Sequence, residues 1–241
     1  SLKLMSDELR DRNLLLKDEI AKGVQEIRAI QEATIHAMAS LAETRDNETG
    51  NHIRRTQNYV KTLAQTLKTH PRFSHYLSDE QIEMLYLSAP LHDIGKVGIP
   101  DQILLKPGRL DSTEFEIMKT HTTLGYQSIL SASERLSAGS SFLTCAMEIA
   151  LSHQEKWDGT GYPQGLSGDE IPISARLMAV ADVYDALISE RYYKKAFSHE
   201  VAVGIILEGR GSHFDPDVVD AFERIEGEFV AIATKFSDTA K

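Results

Sequence analysis

The stretch Ile173-Ser174-Ala175-Arg176-Leu177-Met178-Ala179-Val180-Ala181-Asp182-Val183-Tyr184-Asp185-Ala186-Leu187-Ile188 decides the fold class. It is apolar enough to be buried and too long to be a strand, so it reads as a core helix. Outward from it, the segments near 52–68, 79–92, 112–130, 140–156, 199–208 and 216–226 carry helical apolar spacing, as does 172–190 itself. Asp111 or Ser112 offers an N-cap for the segment from 112, with acidic Glu114 in its first turn. Pro100, Pro107-Gly108 and Gly159-Thr160-Gly161-Tyr162-Pro163 mark loops. No stretch alternates convincingly in the manner of a strand. The expectation is an all-α domain.

Residues 1 to about 40 contain no proline and read as one long helix. Leu2, Leu9, Leu16, Gly23 and Ile30 recur every seven residues, and Ser6, Asn13, Ile20, Ile27 and Thr34 form a second series offset by four. Together they make a heptad, with Asn13 at a core position that favours a parallel two-stranded register. Gly23 weakens the seam, and Arg12 would face Lys17 of a partner. The competing reading is a helix packed on its own domain; the dimer stalk is favoured. The chain opens with Ser1 inside the helical pattern, which reads as a fragment of a longer protein whose upstream sensor or receiver domain is absent.

The 241 residues suffice for one large domain plus an appendage, and 41% hydrophobic content excludes a disordered chain. The single cysteine, Cys145, excludes an internal disulfide and fits a reducing, cytoplasmic setting. Its apolar neighbours make it a buried structural thiol rather than a nucleophile. No apolar run is long enough to span a bilayer, so no membrane association is expected. A net charge of −10 argues against DNA as a partner, and an anionic substrate would need a local positive pocket.

Four of the nine histidines stand out by their neighbours: His52, His92, His121 and His153. Asp93 and Asp182 complete a set that helices could bring to one point. Mixed imidazole and carboxylate ligands suit iron, manganese or zinc rather than magnesium. Any one of these histidines alone is more often a core or surface residue, and their scatter along the chain cannot select them.

A resemblance does select them. Glu48-Thr49-Gly50-Asn51-His52, His92-Asp93-Ile94-Gly95-Lys96-Val97-Gly98-Ile99-Pro100, Lys106-Pro107-Gly108, His121, Gly161-Tyr162-Pro163, Ala181-Asp182, Asp185-Ala186-Leu187, Arg191, Tyr193-Lys194 and Phe214-Asp215-Pro216 stand in order over about residues 43–226. The pattern resembles the HD-GYP family of cyclic di-GMP phosphodiesterases within the HD phosphohydrolase superfamily. It implies an HD-domain helical bundle at 43–227, a helical stalk at 1–42 and a tail at 228–241. It implies two divalent transition metals, with a third site open, iron or manganese first and zinc or nickel as substitutes. Glu48, His52, His92, Asp93, His121, His153 and Asp182 would be ligands, with Asp93 bridging. Lys96 would stabilise the scissile phosphate, and Tyr162, Arg191 and Lys194 would bind substrate. For Arg191 to Lys195 the competing reading is a solvated helix end.

The chain departs from the family at Gln154, where a second consecutive histidine is usual; an amide oxygen is the weaker donor. Asp46 and Asp185 adjoin ligand positions and read equally as orienting carboxylates or as ordinary helix residues. His36, His70, His75, His199 and His213 lie outside the pattern and are expected to be structural or exposed.

The implied reaction is hydrolysis of cyclic di-GMP to pGpG, and further to GMP, by water activated between two cations. The alternatives are a phosphodiesterase for cyclic GMP-AMP or pGpG, or a catalytically weak module that docks a diguanylate cyclase through the Gly-Tyr-Pro loop.

Overall fold

In the computed structural model, residues 2–45, 50–136, 140–190 and 195–237 are described. The chain is helical as expected: α1 Leu2–Glu43, α2 Gly50–Leu67, α3 Asp79–Ser88, α4 Asp101–Leu104, α5 Ser112–Lys119, α6 His121–Ser133, α7 Ser141–Ser152, α8 Ile173–Ile188, α9 His199–Glu208, α10 Pro216–Arg224 and α11 Glu226–Lys235. Short 3₁₀ turns occupy Ala89–Leu91, Ile94–Gly98 and Gly168–Glu170. Among the described residues no strand forms; extended pairing is confined to the bridges Asp158–Ser167 and Arg210–Phe214. No helix of the described residues is long and apolar enough to cross a membrane.

The chain divides into two units, Ser1–Ala37 and Met38–Lys241. The first is a stretch of α1 whose large apolar side chains between Leu14 and Ile30 are exposed, while Ile35 is buried.

In the second unit α8 is the central element. Ile173, Ala175, Leu177, Met178, Val180, Ala181 and Tyr184 are buried, so the helix is covered nearly all round. It shares a core with Tyr59, Val60 and Leu63 of α2, with Leu85 of α3, with Cys145 and Ile149 of α7, and with the helices after residue 198. Tyr59, Tyr184, Phe222 and Phe229 form its aromatic heart; Tyr59 stacks on Phe229 at 4.3 Å and meets Tyr184 edge-on at 5.4 Å. Phe229 lies in α11, within the stretch drawn from sequence as a tail. Burial holds the Cys145 thiol up, at about 12, so it is inert as a nucleophile.

Two expected helices are interrupted, and both breaks serve the centre described next. The segment 79–92 stops being α-helical at Ser88, because Pro90 lacks an N–H and tightens Ala89–Leu91 into a 3₁₀ turn. The segment 112–130 breaks at Thr120. There the Thr120, Thr122 and Thr123 hydroxyls donate to the carbonyls of Ile117, Lys119 and Thr120, and the His121 ring takes that of Met118. Side chains thus compete with the backbone for these carbonyls. Asp111 caps α5 in a reciprocal capping box with Glu114.

Candidate metal centre

His92 ends the Ala89–Leu91 turn and Asp93 opens the Ile94–Gly98 turn, so the pair projects inward from a kink between two short helices. Around it stand two groups whose donor atoms all lie within 4.8 Å of one another: His52, His92 and Asp182, and Asp93, His121 and His153. All six sequence candidates described in the structure are therefore brought together. Rings of His92 and His153, 5.4 Å apart, join the two groups.

The four imidazoles are oriented alike. Nδ1 of His92 faces Ala89 O at 3.0 Å, Nδ1 of His121 faces Met118 O at 2.8 Å, and Nδ1 of His153 faces Ile149 O at 3.0 Å. A carbonyl only accepts, so each Nδ1 carries the proton. Nδ1 of His52 donates to Asp185 Oδ2 at 2.8 Å. Every Nε2 is left as a lone pair, and the lone pairs converge. His52 Nε2 lies 3.4 Å from His92 Nε2, and His121 Nε2 lies 3.5 Å from His153 Nε2. Two lone pairs at that separation repel unless a cation lies between them.

Asp93 presents one oxygen to each group. Its Oδ1 is 3.3 Å from His121 Nε2 and 3.5 Å from His153 Nε2; its Oδ2 is 3.4 Å from His92 Nε2. Oδ1 is buried without a hydrogen-bond donor, an orphan that a metal would satisfy. The residues present therefore fit a centre holding a metal ion at each of the two groups. Burial alone would raise the Asp93 carboxyl, but Lys96 and His92 hold it well below the usual carboxylate range. Burial opposes charging of His92, yet the Asp93 carboxylate outweighs it and raises the imidazole. Burial lowers His121 to about 4.

Supporting residues fix this geometry. Asp182 and Asp185, one turn apart on α8, both reach His52: Asp182 Oδ1 lies 3.8 Å from Nε2 while Asp185 holds Nδ1. Arg55 clamps Asp185 from the same face of α2, at 2.6 and 2.9 Å. Burial raises the Asp185 carboxyl, but His52 and Arg55 bring it below its ordinary value. On the other side, α6 lies directly against the turn after Asp93. A Cβ on Gly95 would fall 1.9 Å from His121 O and 2.5 Å from Gly125 N. Only glycine permits that approach, and the approach brings His121 to Asp93. Arg45 bonds Val97 O and, at 3.2 Å, Ile99 O, tying down the same turn.

Lys96 Nζ lies 2.7 Å from Asp93 Oδ2. Tyr162 stands against His121 with ring centroids 6.3 Å apart. Its loop is hung on Glu155, whose buried carboxylate accepts Gln164 N at 2.7 Å and Leu166 N at 3.0 Å. Gln154 contributes its backbone carbonyl, which accepts from Tyr162 N at 3.2 Å. Just before the loop, Trp157 lies beneath the guanidinium groups of Arg72 and Arg176, which both bond Asp215.

Glu48, Arg191 and Lys194 lie outside the described residues, as does Asp46. Of the histidines set aside, His70 packs on Phe73, His199 bonds Tyr184, and His213 stacks on Phe214. Sequence reasoning missed Arg45, Arg55 and Glu155, which bind no metal themselves and act through backbone or second carboxylates.

Comparison with known proteins agrees with this geometry. The HD domain family profile matches residues 36–218. A Vibrio cholerae protein named cyclic di-GMP phosphodiesterase is 55% identical over 238 residues, covering 98% of this chain and 48% of that protein. A second protein of that organism, named 3'3'-cGAMP-specific phosphodiesterase 2, is 38% identical over 226 residues, covering 94% of this chain and 41% of its own length. The chain thus spans about half the length, or less, of these relatives. Among solved structures, a cyclic GMP-AMP phosphodiesterase of Vibrio cholerae superposes with a TM-score of 0.57 at 20% identity, over 87% of this chain and 51% of that one. That likeness speaks for the fold. With the profile spanning the helices that carry all six converging side chains, the chain belongs to the HD domain family.

Proposed function

We propose that the chain is a metal-dependent phosphodiesterase that opens cyclic di-GMP to pGpG. The observation that carries the reading is the pair of buried His/Asp groups sharing Asp93, with Lys96 beside them. The relative at 55% identity, named for that activity, supports the substrate. Two divalent cations bound there, iron or manganese first by family resemblance, would supply Lewis acidity and a water of lowered pKa. The protein's own part is orientation and charge. Asp185 and the three backbone carbonyls lock the imidazoles in the ligating tautomer. Lys96 places an ammonium group at the edge of the centre, where it meets charge on the phosphoryl oxygens. Tyr162, and Arg191 and Lys194 by family resemblance, hold the dinucleotide. No serine or cysteine nucleophile enters.

The experiment is turnover of cyclic di-GMP by the chain reconstituted with manganese or iron, with pGpG and GMP separated by chromatography. Absence of hydrolysis with both metals, in protein shown to hold them, would refute the reading. The name of the 38%-identical relative favours cyclic GMP-AMP as a second substrate, and direct competition between the two dinucleotides ranks them.

The N-terminal helix pairs two copies in parallel in this reading. Leu16, Ile20, Ile27 and Ile30, all heptad-core positions, are 47%, 65%, 66% and 59% exposed along the single helix. Pairing would bury them. Sedimentation that shows monomer at every concentration sinks this part. The single buried Cys145 fits a cytoplasmic site of action. A diguanylate cyclase is a candidate partner for the Tyr162 loop, and a receiver domain is a candidate partner for the N-terminal helix.

A further inference from the structure

Helix α5 buries none of its residues, yet it ends two residues short of the ligand His121. Its Phe115 is 44% exposed, a large apolar ring left at the rim of a charged centre. Phe115 and Lys119 are four apart and share one face of the helix. The Phe115 ring meets Tyr162 nearly at right angles, 84° with centroids 6.0 Å apart. The Lys119 ammonium lies over both rings, 5.6 Å from Phe115 and 5.7 Å from Tyr162. Its ion pair is with Glu116 at the surface, a contact easily exchanged. From the centre outward the order is His121, then Tyr162, then Phe115, in steps of 6.3 and 6.0 Å. A nucleotide has the same order: phosphate, ribose, base.

We propose that Phe115, Lys119 and Tyr162 form a guanine-binding shelf, which selects the base of the nucleotide whose phosphate lies at the metal centre. The proposal rests on the phosphodiesterase reading for its ligand. The two new residues have separable roles. Phe115 offers a π face on which any base stacks. Lys119 offers an ammonium group to the O6 and N7 acceptors of guanine; adenine replaces O6 by an amino donor and is disfavoured. Phe115 therefore supplies affinity and Lys119 supplies choice of base.

The test is equilibrium binding to the manganese-loaded full chain, with the hydrolysis-resistant bis-phosphorothioate analogues of cyclic di-GMP and cyclic di-AMP as probes. Phe115→Ala should weaken both by about tenfold, the order expected for losing one stacked base. Phe115→Leu, which keeps apolar bulk, should weaken them similarly and guards against misfolding. Lys119→Met should weaken the guanine analogue about tenfold and leave the adenine analogue nearly unchanged, collapsing the preference between them. Wild-type affinity in all three variants overturns the shelf, as does an equal loss for both analogues in Lys119→Met or no binding to the wild type. If the analogues bind as expected but cyclic di-GMP itself is not hydrolysed, the shelf stands and the phosphodiesterase reading falls.

Discussion

The two halves of the centre have equivalent ligands and different supports. In the half made by His52, His92 and Asp182, the His52 ring is held by a buried carboxylate, Asp185, itself clamped by Arg55. In the half made by Asp93, His121 and His153, both rings are held by backbone carbonyls, and the ring-to-carboxylate approach depends on Gly95. A carboxylate behind an imidazole raises its basicity and metal affinity; a carbonyl fixes direction with less charge. One half thus combines a carboxylate support behind His52 with a carbonyl behind His92, while the other rests on backbone fit alone. Mutations should divide along that line.

The largest effect removes what the halves share. Asp93→Asn takes a charged donor from both, and turnover of cyclic di-GMP should fall by about 10³-fold or more, the rate equivalent of several kcal/mol of Lewis-acid stabilisation. Metal analysis should show loss from both positions; full occupancy with wild-type turnover would remove Asp93 from the centre. Next comes Asp185→Asn, aimed at the first half alone. Metal affinity there should drop about 10–100-fold. Because the buried Arg55 clamp loses its charged acceptor, the fold should also lose about 1–3 kcal/mol in denaturant unfolding. Equal loss of both metals would show that the halves are not separately supported. Gly95→Ala strikes the second half. The new methyl meets backbone on α6, so the fold should lose about 1–3 kcal/mol, with the metal at His121 and His153 weakened before that at His52. A variant that binds both metals as the wild type does would mean the turn and α6 separate at no cost.

The same division explains what could be read from the chain beforehand. The helices were legible because apolar spacing records burial: Ile173–Ile188 is covered nearly all round, and α9 falls on 199–208 as expected. The breaks at Ser88 and Thr120 were not, since periodicity continues across them while Pro90 and the Thr120–Thr123 hydroxyls redirect the backbone. The six converging side chains were legible only through the ordered family pattern, because His52, His92, His121 and His153 share no short spacing. From sequence Asp185 reads equally as an ordinary helix residue; in the structure its carboxylate accepts from His52 Nδ1 at 2.8 Å and orients that ring. Arg55, Glu155 and the packing role of Gly95 left no mark beyond their residue type. Their partners are a distant carboxylate, two loop N–H groups and a neighbouring helix backbone, which come close only when the chain folds.

The smallest expected effect, and the sharpest on the comparison, is the pH dependence of metal uptake by the metal-free chain. A ligand must shed its proton to bind, so a raised pKa moves uptake to higher pH and a lowered one extends it to lower pH. In the first half, burial lowers His92 but the Asp93 charge outweighs it, so the imidazole titrates above its ordinary 6.5. In the second half burial lowers His121 to about 4, so that ring is already neutral well below pH 6.5. As pH falls from 8 towards 4, the first half should therefore release its metal before the second does. Manganese bound per chain, followed by equilibrium dialysis across that range, should decline in two steps. Asp185→Asn should move the upper step further upward, since the weakened His52 site competes less well with protons, and leave the lower step in place. A single step in the wild type would mean that the shared Asp93 couples the halves so tightly that their different supports have no separate consequence.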